Sequence, residues 1–175
     1  MASIVNKADS AISSEEESLP QGNIIVVDDN PASRTLLGGM LRSQGYEVRS
    51  FPLGPLALAA AAENPPDLML VDVNMPQMDG YAVCEQLQSS PKLAGIPVIF
   101  LGDPSATEDK MKGFRSGGVD YISRPFQFEH VHARIETHLK LWRAQRAEHD
   151  LVERTLDGAV ATLWELMRLR SLMLA

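Results

Sequence analysis

The sequence predicts an α/β protein, a doubly wound sheet of five parallel strands covered by helices on both faces and followed by a C-terminal helical extension. Two observations carry this. From Gly22 onward, short runs of β-branched and apolar residues alternate with longer helix-like stretches, and Pro, Gly, Asn and Asp punctuate the junctions. The 175 residues suit one compact domain with a modest appendage, and 45% apolar with 22% charged residues is an ordinary globular composition.

Residues 1–21 are small, polar and acidic, without apolar periodicity, and are expected to form a disordered tail. The first strand is read at 24–28, after which Asn30 and Pro31 supply an N-cap and a first-turn proline for a helix ending near Gly45. A second strand at 46–50 leads into the alanine-rich helix 56–63, which Asn64, Pro65 and Pro66 stop. The third strand, 67–72, ends in a loop before Asp79 and Gly80 open a helix reaching about Ser89. Pro91, Gly95 and Pro97 frame the turn into a fourth strand at 98–101. A helix over 107–116 ends at Gly117 and Gly118, a fifth strand covers 119–122, and from Phe126 the chain reads as helix almost to its end.

A net charge of −7 argues against a general nucleic-acid-binding surface, which needs clustered Lys and Arg. Cys84 is the single cysteine, so neither an intrachain disulfide nor a Cys-rich metal site can form, and a reducing, cytoplasmic setting is expected. With no paired base in view, Cys84 is expected to pack as a small hydrophobe, and Met75, Met78 and Met111 as loop and core filler. The polar N-terminus lacks the apolar run a secretory signal would need, and with no long apolar run in the sequence no membrane span is expected.

In an open parallel sheet, ligands bind beyond the carboxyl ends of the strands. The first and third strands end in Asp28, Asp29 and Asp72, and a doubly wound order sets those strands side by side. At about 4 Å each like-charge pair costs on the order of 1 kcal/mol in water, and about 4 kcal/mol at an effective dielectric of ~20. A hard divalent cation suits such an all-oxygen site, and Arg124 at the end of the fifth strand adds a fixed positive charge. Taken singly, each Asp is more readily a helix cap or a loop solvator; the joint placement reverses this and favours a site.

The segments IIVVDDN (24–30), LVDVNMPQMDGY (70–81) and DYISRPF (120–126) resemble the receiver-domain family of two-component response regulators, whose fold is flavodoxin-like. The likeness covers about residues 23–141. It implies that Asp72 is the phosphoacceptor, that Asp28, Asp29, Asp72 and the backbone carbonyl of Asn74 hold magnesium, and that Tyr121 is the aromatic switch. It also implies a cis bond before Pro125, and phosphorylation by a sensor histidine kinase or phosphotransfer protein, in a switch that is not itself an enzyme. Two positions depart from the family pattern. Gly102 stands where the family usually has Thr or Ser, removing the hydroxyl that couples the phosphoryl group to the switch, and Arg124 replaces the usual Lys as phosphoryl clamp with a bidentate fork. A weaker or differently routed response follows, with Ser105 and Thr107 as distant substitutes for the hydroxyl.

Two other functions compete. A phosphorylation-independent pseudo-receiver, acting as a dimerisation or interaction module, draws support from Gly102 but not from the retained acidic triad. A metal-dependent phosphatase using Asp72 ranks last, because Asn74 stands where a general acid is needed and cannot donate and recover a proton.

Beyond Leu141, residues 142–175 are expected to form a helical linker or dimerisation segment. Trp142, Val152, Leu156, Ala159, Leu163, Leu166 and Met173 fall at spacings of threes and fours, though Gln145 and His149 interrupt the seam and Asp157 with Gly158 could break the helix. A homodimer through this helix or a receiver face is favoured over fold-back, with an output domain beyond residue 175 also possible. Residues 151–169 also resemble the lead-in to output domains such as HD-type phosphodiesterases, but no catalytic HD pair follows. His130, His132, His138 and His149 form no compact ligand set and are expected to be solvated on helix faces.

Overall fold

The computed structural model describes residues 21–102 and 107–173. Ten elements alternate along them: β1 (Asn23–Val27), α1 (Pro31–Ser43), β2 (Glu47–Phe51), α2 (Gly54–Glu63), β3 (Leu68–Asp72), α3 (Gly80–Ser89), β4 (Val98–Leu101), α4 (Thr107–Arg115), β5 (Asp120–Ile122) and α5 (Phe128–Met173). All strand pairs are parallel, in the order β2-β1-β3-β4-β5. This is the doubly wound, flavodoxin-like architecture, with its reversal of strand order between β1 and β3.

The strands are short, and the central three, β1, β3 and β4, are buried on both faces, so alternate residues feed two separate cores. Ile25, Val27, Met69, Val71, Val98 and Phe100 face α2 and α3, packing with Ala57, Ala61, Val83 and Leu87. Ile24, Val26, Leu68, Leu70, Ile99 and Leu101 face α1 and α5, packing with Leu37, Leu41, Val131, Ile135 and Leu139. Cys84 is fully buried in the first cluster, and burial pushes its thiol up to about 12, as expected of packing rather than reactivity. Met75 and Met78 line the same cluster, whereas Met111 is exposed.

Helix α1 begins where the sequence indicated, because the Asn30 side chain accepts from the N–H groups of Ala32 and Ser33 at 2.9 and 3.2 Å. Helix α2 starts earlier than its alanine run, at Gly54, with Pro55 setting the first-turn dihedral. At the other end, α5 continues through Asp157 and Gly158 without a break, the roughly 1 kcal/mol penalty of one glycine being too small to interrupt a long helix.

The extension does not fold back. Trp142 is half-buried against the first core, but every residue from Arg143 to Arg170 is exposed, including Val152, Leu156, Leu163 and Leu166 of the expected seam. The side chain of Met173 and all but the last residue of the tail expected over 1–21 lie outside the described residues. No helix among the described residues is long and apolar enough to cross a membrane.

Two histidines correct the expectation of four solvated ones. His130 and His149 are exposed, but His132 stacks on Phe128 and His138 lies 3.0 Å from Asp120 Oδ2. Both flank the buried stripe Val131, Ile135 and Leu139, so helical phase turns them toward the domain. Burial alone would raise the Asp120 carboxyl, but hydrogen bonds from His138, Arg134 and the Tyr121 N–H outweigh it and hold it below its ordinary value.

Candidate functional site

Strand register brings the acidic residues together. Val27 pairs with Val71, so Asp28, just past the end of β1, stands level with Asp72, the last residue of β3. Asp72 pairs with Leu101, placing Gly102 just beyond it, and Leu101 pairs with Ile122, shortly before Arg124. One oxygen each from Asp28, Asp29 and Asp72 lies within 4.8 Å of the others. Asp28 is fully buried and Asp72 nearly so, whereas Asp29 faces solvent, which leaves the cluster open on one side.

Arg124 closes the group. Its Nη2 donates to Asp28 Oδ2 at 2.9 Å and lies 3.4 Å from Asp72 Oδ2. Its Nη1 donates to the Ser33 hydroxyl at 2.9 Å, and that hydroxyl donates to Asp28 Oδ2 at 2.5 Å. The other Asp28 oxygen accepts from the Asn30 N–H at 2.8 Å. Asn74 is exposed in the loop after β3, with its N–H 3.4 Å from Asp72 Oδ1. The Arg124–Pro125 peptide is cis.

These contacts set the electrostatics. Burial first, and the Asp28 carboxylate second, push the Asp72 carboxyl above its ordinary value; the Asn74 N–H and Arg124 only partly offset them. Burial would lower the Arg124 guanidinium, but its bonds to Asp28 and Asp72 more than compensate and hold it higher. Chemically, the cluster is a hard, all-oxygen donor set beside a carboxylate whose charge is under-compensated. Such a set fits magnesium, which takes a few carboxylates and keeps waters, the exposed Asp29 side giving them room.

Tyr121 lies inward and half-buried. Its hydroxyl donates to the Tyr81 hydroxyl at 2.9 Å, its ring packs 5.2 Å from that of Phe100, and a Cβ at Gly113 of α4 would come within 2.2 Å of its oxygen. Lys112, also on α4, sits 4.6 Å over the Tyr81 ring and 3.2 Å from Asp79 Oδ2. The Gly80 backbone must approach Asp72 closely: a Cβ there would fall 2.3 Å from the Asp72 carbonyl oxygen.

Sequence reasoning missed Ser33, and a signal for it exists. Ser33, Leu37 and Leu41 share the buried stripe of α1, so a serine interrupts an apolar face one turn after the acidic pair. Gly102 proves to be more than a missing hydroxyl. Its φ is +155° and a Cβ would sit 2.7 Å from Val73 Cγ2, so the backbone itself requires glycine. Ser105 and the Thr107 side chain lie outside the described residues.

The profile of the response regulator receiver domain matches residues 24–136. The chain belongs to this family. The receiver is similar to a probable cyclic di-GMP phosphodiesterase of Vibrio cholerae, 38% identical over 129 residues, which make up 74% of this chain and 29% of that protein. It is likewise similar to the response regulator PleD of Caulobacter vibrioides, 39% identical over 135 residues, 77% of this chain and 29% of that protein. It therefore spans less than a third of the length of either relative. Among solved structures, the receiver domain of a sensor histidine kinase from Pseudomonas aeruginosa PAO1, with a magnesium ion coordinated in its active-site cleft, is 27% identical with a TM-score of 0.64, covering 68% of this chain and 98% of that one. The chain is thus a receiver domain of two-component signalling.

Proposed function

We propose that this receiver accepts a phosphoryl group on Asp72 in a magnesium-dependent reaction, with a sensor histidine kinase or phosphotransfer protein as donor. The observation that carries the reading is the meeting of Asp28, Asp29 and Asp72 at one sheet edge with Arg124 across two of them. The magnesium-containing cleft named for the Pseudomonas receiver supports it. Asp28, Asp29, Asp72 and the Asn74 carbonyl would hold the metal, whose charge would offset the carboxylates and orient phosphoryl oxygens.

In this reading an ionised Asp72 oxygen attacks the donor phosphorus, a new O–P bond forms, and the bond to the leaving group breaks with its electron pair departing on that group. Arg124 Nη2, already directed at the Asp72 carboxylate, takes up an equatorial phosphoryl oxygen. Asp28 and Asp29 contribute charge and coordination, and no general base is required because the nucleophile is a carboxylate. The receiver turns over no separate substrate; its chemistry is gain and loss of its own phosphoryl group.

The receiver occupies residues 22–141 in this reading, and the segment 142–175, exposed from Arg143 to Arg170, carries the signal to a second copy or to an attached output module. Its solvent-facing seam and the greater length of the relatives support that part. With Arg124 retaining the clamp and Tyr121 seated on Tyr81, the switch would be routed through the Tyr121–Tyr81 contact and α4 rather than through a hydroxyl at position 102.

Incubation with magnesium and acetyl phosphate, followed by intact-mass measurement, should give one phosphoryl adduct that is absent with EDTA and absent in Asp72→Asn. Light scattering of the same samples should give a dimer mass. An unmodified native chain that still dimerises would remove the phosphoacceptor reading and leave the interaction module.

A further inference from the structure

Ser33 is 7% exposed on the apolar stripe of α1, where an unsatisfied hydroxyl would be costly. It is satisfied twice, in opposite senses: it donates to Asp28 Oδ2 and accepts from Arg124 Nη1. Arg124 Nη2 donates to the same Asp28 oxygen, so serine, carboxylate and guanidinium close a ring of three hydrogen bonds. The Asn30 cap fixes the phase of α1 at Ser33, and Arg34 Nη1, donating to the Asp28 carbonyl at 2.6 Å, fastens the same turn to the end of β1.

Arginine's fork matters in this ring. Its two terminal nitrogens are rigidly coplanar, so fixing Nη1 on Ser33 also fixes where Nη2 points; a lysine ammonium would meet the Ser33 and Asp28 oxygens, 2.5 Å apart, from one nitrogen and has no second prong for Ser33 to aim. The Arg124 side chain is 37% exposed, and without the Ser33 contact its outer prong loses that hydrogen bond and is left with the weaker restraint of the Phe126 ring, 5.0 Å from its Cζ. We propose that Ser33 is a positioning residue that holds the Arg124 fork across Asp28 and Asp72, so that the Nη2 N–H directed at Asp72 meets the incoming phosphoryl group preset. The inference rests on the phosphoacceptor reading of Asp72. A prepositioned donor gains over a mobile one because no reorganisation is needed when charge arrives.

The test is a double-mutant cycle on the full chain, reading beryllofluoride affinity with saturating magnesium by calorimetry. Ser33→Ala should weaken binding about tenfold in the native background, the scale of one hydrogen bond to a charged group, but by less than about twofold in the Arg124→Lys background. Ser33→Thr should recover most of the affinity. In metal-free protein, the Arg124 guanidinium nitrogen signals should be resolved in the native chain and averaged by rotation in Ser33→Ala. Equal losses in both backgrounds, or guanidinium signals unchanged by Ser33→Ala, overturn the proposal. A chain that binds no beryllofluoride in any background fails the phosphoacceptor reading instead, and the metal-free signals then decide the role of Ser33 separately.

Discussion

Gly102→Thr should destabilise the protein by roughly 2–3 kcal/mol and should not restore a conventional switch. The position invites that substitution, since family members usually carry a hydroxyl there. Yet φ at Gly102 is +155°, a conformation that L side chains rarely adopt, and the new Cβ would meet Val73 Cγ2 at 2.7 Å. The backbone has little freedom to relax, because the Gly102 N–H is bonded to the Ile122 carbonyl and the Val73 N–H to the Leu101 carbonyl. For a chain of this size the expected fall in Tm is on the order of 5–10 °C. Thermal unfolding by circular dichroism measures the first part, and the chemical-shift change of Tyr121 on beryllofluoride addition measures the second. A Gly102→Thr protein as stable as the native one, with a larger Tyr121 response, would show that only the hydroxyl had been lost. Gly102→Ala separates the contributions, because it carries the backbone and Val73 costs without a hydroxyl.

The contrast between Gly102 and the acidic cluster shows what a sequence can express. Asp28, Asp29 and Asp72 were legible because parallel-sheet topology turns strand ends into neighbours: once β1 and β3 are adjacent, register alone sets Asp28 level with Asp72. The two-sided burial of the strands was legible for the same reason, their runs of Ile, Val and Leu fitting a sheet covered on both faces. Gly102 was legible as an absent hydroxyl, but its backbone angle arises from bonds to β5 and the approach of Val73, which no local pattern encodes. Ser33 was legible only as a polar break in the apolar stripe of α1; its role was not, because its partner Arg124 lies 91 residues away and the pairing needs the phase of α1 and the bend after β5 together. His138 was misjudged on the same scale: helical phase could place it beside the core, but only the position of Asp120 on β5 supplies its partner. The extension was readable in period, while its continuity through Gly158 depended on the helix around it.

Asp72→Asn should make the metal-free protein more stable at neutral pH, although it removes one partner of Arg124. The direction follows from the raised Asp72 carboxyl, a net outcome in which burial and Asp28 already outweigh the Asn74 N–H and Arg124. A carboxyl whose folded-state pKa lies above its unfolded one binds protons on folding, so stability falls as pH rises from the unfolded value through the folded value and stays reduced above it. Below the unfolded pKa both states are protonated and the penalty is absent. Asparagine keeps the shape without the charge, and Arg124 retains its shorter contacts to Asp28 and Ser33. With like charges only a few Å apart and partial solvent access, the gain at neutrality is on the order of 1 kcal/mol, or about 2–4 °C in Tm. It should shrink as pH is lowered into the carboxylate range. Magnesium supplies the same relief by another route, so it should raise the native Tm more than that of Asp72→Asn and narrow the gap between them. Melting curves for both proteins across pH, in EDTA and in magnesium, make the comparison. A variant less stable than the native chain in EDTA at neutral pH would mean that Arg124 fully compensates the cluster, and the electrostatic case for a divalent cation there would fail.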